Sequence, residues 1–80
     1  MDIEEIEFTP LLAVAYAEGF GEGEGATGEQ KIQAWAYLIK TKAVWSLQGW
    51  FGRTATAFME QGVISFEGEV NWEVYHELNG

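Results

Sequence analysis

At 80 residues the chain has room for one domain with a modest core, since a chain this short buries only roughly 60% of the surface its unfolded form exposes. A hydrophobic content of 48% and an aromatic content of 15% exclude disorder despite a net charge of −9, and the lack of cysteine excludes a disulfide framework or a thiolate metal site. No apolar run approaches the roughly 20 residues needed to span a bilayer, and the surplus of negative charge disfavours direct binding of nucleic acid or an anionic membrane.

The first residues, Met1-Asp2-Ile3-Glu4-Glu5, are acidic where a secretory signal would be basic, which implies a cytoplasmic protein. Ile6 and Phe8 then alternate with Glu5 and Glu7, a pattern that suits a short strand as well as a helix extension. Thr9-Pro10 is the first helix signal, because a threonine hydroxyl caps orphan N–H groups and proline loses nothing at the first helical position. The apolar run from Leu11 to Tyr16 follows, with an end expected near Gly19.

Residues 19 to 28 hold five of the ten glycines, so this stretch reads as a loop. Its Gly-x-Gly pattern lacks the preceding strand of a phosphate cradle, and Glu22 and Glu24 would repel phosphate. The spacing of a calcium-binding EF-hand is absent too.

Thr27-Gly28-Glu29-Gln30 matches a capping box and is the clearest helix start in the chain. Ile32, Trp35, Ala36 and Ile39 follow at helical spacing and form an apolar stripe destined for the core, with Lys40 and Lys42 near the negative end of the helix dipole. One helical turn is expected around residues 44 to 48, a bend from Gly49 to Gly52, and a third helix over about 52 to 61. Phe51, Ala55, Phe58 and Met59 supply its inner face, and Gly62 stands where a left-handed cap belongs.

The last ten residues open with the capping residue Asn71 and place Val74 and Leu78 four apart, which suggests a short helix. A hairpin of residues 63 to 66 with 70 to 75 is the alternative, as β-branched and aromatic residues alternate there. The expected fold is therefore mainly α: one small three- to four-helix domain over residues 1–80 with a Gly-rich loop, a short β element near the termini remaining open.

Charge is segregated along the chain. Eight of the thirteen acids fall in residues 2 to 29 and five in residues 60 to 77, whereas Lys31, Lys40, Lys42 and Arg53 all fall between them. Either the acidic ends fold back beside the basic centre, or they form a face offered to a basic partner.

The chain is poorly stocked for catalysis, with one His, no Cys, one Arg and one Asp. His76 shares a helix turn with Glu73 and Glu77, a grouping that arises freely in acidic helices, so neither metal nor other cofactor is expected. Trp45, Gln48, Trp50 and Arg53 are the candidates for a recognition surface, since Trp and Arg dominate binding hot spots. Glu22 and Glu24 are the acidic candidates. Arg53 could equally pair with a carboxylate of its own chain.

The stretch from Tyr37 to Ala55 with Met59-Glu60-Gln61-Gly62 resembles a family of very short, uncharacterised tailed-phage proteins. The resemblance is carried by Trp45, Leu47, Gln48, Gly49, Gly52, Arg53, Thr54 and Ala55, a W-x-L-Q-G-x-x-G-R-T-A motif, and Ala15-Tyr16-Ala17-Glu18-Gly19 is similar to the family's first helix end. Lys42 stands where the family often has Gly, which unsettles the expected turn ahead of Trp45, and the Gly-rich loop is longer than usual. The resemblance implies a phage accessory protein acting in the host cytoplasm, without an established activity. A small acidic binder that inhibits or modulates a host protein with a basic surface is the first expectation, a nucleic-acid-handling or defence complex being one target and DNA mimicry one mode. The alternative is an assembly module that forms a small homo-oligomer, such as a homodimer, through its aromatic centre.

Overall fold

A computed structural model describes residues 6–79, which form four α-helices and two short 3-10 turns and, among the described residues, no strand. Helix α1 spans Pro10–Glu18, α2 Gly28–Lys40, α3 Gly49–Glu60 and α4 Trp72–Asn79, with 3-10 turns at Gly21–Gly23 and Ala43–Ser46. Residues 6 to 9 are neither helix nor strand, and Glu5 lies outside the described residues.

The helix boundaries follow local side-chain chemistry. Thr9 Oγ1 accepts the Leu12 N–H at 3.2 Å, and Pro10 is the first helical residue of α1. Gly19 closes that helix in the left-handed region at φ 78°. The capping box of α2 forms in full: Thr27 Oγ1 accepts the Gln30 N–H at 3.1 Å, and Gln30 Oε1 accepts the Thr27 N–H at 2.9 Å. Beyond α3, Gly62 donates to the Met59 carbonyl and Val63 to that of Phe58, the pair of bonds that a left-handed residue after a helix makes possible.

The core is built around α2. Ile32, Trp35, Ala36 and Ile39 are buried as the stripe requires, together with Ala34 and Leu38. Ala13 from α1, Val44 from the second 3-10 turn, Phe51 and Ala55 from α3, and Val63 and Ile64 complete the cluster. Trp35 is its hub, with ring centroids 5.6 Å from both Phe51 and Phe58 and 6.0 Å from Trp50. No polar or charged side chain is buried among the described residues.

Two segments differ from expectation. The bend from Gly49 to Gly52 is absent, because α3 begins at Gly49 and runs through both glycines. Packing of Phe51 and Trp50 on Trp35 overrides the low helix propensity of glycine. The tail follows the helix reading, and the alternative hairpin of residues 63 to 66 with 70 to 75 does not form, since residues 72 to 75 are helical: only Ile64 pairs antiparallel with Val70 in a single bridge, flanked by Ser65 N–H to Glu69 O at 2.8 Å and Asn71 N–H to Val63 O at 2.8 Å. The pairing stops there because Asn71 Oδ1 accepts the Val74 N–H at 3.1 Å and starts α4.

The Gly-rich loop is packed. Gly23 is buried, and a Cβ placed on it would collide with the Ala15 carbonyl and the Tyr16 backbone, so the 3-10 turn lies directly against α1. No helix among the described residues is long and apolar enough to cross a membrane.

Candidate functional site

The start of α3 gathers three of the sequence candidates. The 3-10 turn Ala43–Ser46 buries Val44 and turns Trp45 outward, leaving Trp45 43% exposed. The Trp45 ring lies over the α3 backbone, where a Cβ on Gly52 would meet two of its carbons at 3.6 Å. Gln48 is the residue before the helix, yet its side chain makes no capping bond and is exposed. Arg53 is exposed and folds back toward the helix start, one guanidinium nitrogen lying 3.2 Å from the place a Gly49 Cβ would take.

This end of α3 is electropositive. A helix N-terminus carries partial positive charge, and here the first turn holds no acid while Arg53 adds a full charge beside it. Among the described residues no ion pair joins a carboxylate to a lysine or arginine, so Arg53 has no carboxylate partner there. Trp50, the fourth candidate, is half-buried with its ring centroid 4.0 Å from that of Phe51, and contributes to the edge of the core.

Glu22 and Glu24 lie elsewhere. Both are exposed, and Glu22 lines a cleft with Thr9, Leu11, Leu12, Ala15, Phe20 and Gly21. Leu11 at 78% and Phe20 at 50% exposure make this a surface apolar at its centre and acidic at its rim. Sequence reading did not single out Leu11 or Phe20. The available signal was the composition of α1, Pro-Leu-Leu-Ala-Val-Ala-Tyr-Ala-Glu, which has no polar face to turn to solvent.

His76 is exposed and stacks on Trp72 at 6.1 Å between centroids, and no group of three or more His, Asp or Glu residues among those described converges as a metal site would require. Phe66, 62% exposed, is covered on one face by the Lys42 ammonium at 3.9 Å from the ring centroid.

With the helices and both surfaces placed, the family is decided by a match over residues 20–79 to a domain of unknown function, DUF7417. The chain belongs to the DUF7417 family. The DUF7417 match takes in the start of α3 with Trp45, Gln48 and Arg53, the Gly-rich turn with Glu22 and Glu24, and the bridge and α4, while α1 precedes it. No curated protein and no solved structure matches the chain.

Proposed function

We propose that this DUF7417 chain is a phage-encoded, small acidic binding protein that acts in the host cytoplasm by inhibiting or modulating a host protein with a basic surface. The observation that carries the reading is the state of its carboxylates: among the described residues none is buried and none is ion-paired. The carboxylates among the described residues therefore reach solvent, and in a chain of net charge −9 they are available to steer and hold a cationic partner. A protein that handles nucleic acid, including a defence complex, offers such a surface, and occupying it in place of a duplex is one form the inhibition takes.

The test is affinity capture from host lysate at low and high salt, repeated with Glu22→Gln/Glu24→Gln and with Trp45→Ala/Arg53→Ala. Recovery of one defined partner that is lost at high salt and weakened by the first variant supports the reading. Recovery of no salt-sensitive partner sinks it.

A specific observation favours a second reading, a homo-oligomeric assembly module. Exposed Trp45 and unpaired Arg53 at the acid-free start of α3 form a face whose complement is apolar and acidic, as the α1 face is. Sedimentation equilibrium separates the two, because a concentration-independent monomer removes the assembly version.

A further inference from the structure

Helix α1 and the turn after it leave an apolar surface uncovered. Helices that are apolar on every side are ordinarily buried on every side, yet only Ala13 and Ala15 of α1 are buried. Leu11 and Phe20, both exposed, line a cleft of about 410 Å3, a size in the range that accepts a ligand or an anchoring side chain. Its geometry is preformed, because the close approach of Gly23 to Ala15 fixes the turn against the helix.

The charges around the cleft are predominantly negative. Glu22 lines it, Glu24 follows on the same turn, and Glu18 lies two helical turns beyond Leu11 on the same side of α1. All three are exposed. Lys31 places its ammonium beside Gly19, at the C-terminal end of α1, where a cation suits the helix dipole.

We propose that this cleft seats an amphipathic, cationic segment of the partner protein, with an apolar anchor held against Leu11 and Phe20 and lysines or arginines meeting Glu18, Glu22 and Glu24. The inference rests on the reading of the chain as a binder of a basic protein surface, and it adds the place of binding and the anchor. Charge complementarity selects this occupant. A second copy turned onto the same face would set its own Glu18 and Glu22 against those of the first, which like-charge repulsion opposes, and one that presented its α3 start instead would bring a single arginine, Arg53, to three carboxylates.

The experiment titrates the isotope-labelled full chain with two peptides of equal positive charge, a Leu/Lys amphipathic helix and a Lys/Gly/Ser sequence without apolar residues, and follows backbone amide shifts. The amphipathic peptide is expected to give saturable shifts at Leu11, Leu12, Phe20 and Glu22, and the apolar-free peptide to bind roughly tenfold or more weakly. Leu11→Ser is expected to weaken the first interaction by a similar factor, and Glu18→Gln/Glu22→Gln to weaken it and flatten its salt dependence. All three positions are exposed, so folding of the variants is checked directly by the dispersion of the same spectra. Saturable shifts confined to Trp45, Gln48 and Arg53 would remove the cleft and leave the binder reading standing. Equal binding of the two peptides would remove the anchor. No binding of either at low salt would remove both readings. Concentration-dependent shifts at Leu11 and Phe20 in the protein alone would assign the face to a second copy and overturn the proposal.

Discussion

The ammonium of Lys42 stands 3.9 Å from the centre of the Phe66 ring, and the residue that holds it there is left-handed, at φ 67°. Lys42 is the one non-glycine residue with positive φ among those described. A side chain in that region costs about 1–2 kcal/mol, against which an exposed cation–π contact returns about 0.5–1 kcal/mol. Lys42→Ala is therefore expected to keep the strain and lose the contact, whereas Lys42→Gly loses both. Thermal unfolding should place Lys42→Gly at or slightly above the parent and Lys42→Ala about 2–8 °C lower. Phe66→Ala should lower the midpoint in the parent and do little more in Lys42→Ala.

Gly23 faces backbone, which cannot swing aside as a side-chain tip can. Gly23→Ala is expected to cost about 1–3 kcal/mol, the usual range for overpacking, by prising the 3-10 turn off Ala15 and Tyr16. Hydrogen exchange should accelerate at Phe20, Glu24 and Ala26 while α3 keeps its protection. Equal acceleration across all helices would show that the turn is not a separately anchored unit.

Burial pushes the Tyr75 phenol above its ordinary value of 10.0, and the Glu29 carboxylate adds to the rise. The folded pKa exceeds the unfolded one, so this contribution to stability is complete below about pH 10 and is lost as pH rises through the folded pKa. Glu29→Gln should move the Tyr75 titration down toward its ordinary value and lessen the alkaline loss. Tyrosinate absorbance, with Tyr75→Phe to identify the component, reads both.

Trp35 and Trp45 should respond in opposite ways to the same truncation. Trp35 touches Trp50, Phe51 and Phe58, and Trp35→Ala is expected to cost about 3–5 kcal/mol, enough to unfold a domain of this size. Trp45→Ala is expected to cost about 1 kcal/mol or less, since its ring is 43% exposed and rests on a glycine. Circular dichroism melts distinguish them, and acrylamide should quench a Trp45-only variant strongly.

The sequence was most legible where structure is set by neighbours in the chain. Thr9-Pro10, the Thr27/Gln30 box, Gly19, Gly62 and Asn71 each act through bonds spanning a few residues, and each marks a helix boundary as read. The α2 stripe was legible for the related reason that helical spacing alone puts Ile32, Trp35, Ala36 and Ile39 on one side. Gly49 misled, because its propensity is a small local term and the ring packing of Trp50 and Phe51 on Trp35 is a larger distant one.

A mainly helical fold, its strongest caps, its core stripe and its acidic balance all follow from the order of the amino acids. Tertiary structure alone decided which surfaces that fold presents. Whether Trp45 or Trp50 faces water, whether Arg53 finds a carboxylate, and whether the apolar α1 is covered all depend on contacts between residues far apart in the chain. Trp50 is drawn to Trp35 while Trp45 rides over Gly52, and Gly23 locks the acidic turn onto α1 with Leu11 and Phe20 left outside. Composition supplies such charges and rings; only packing assigns each of them to the core or to solvent.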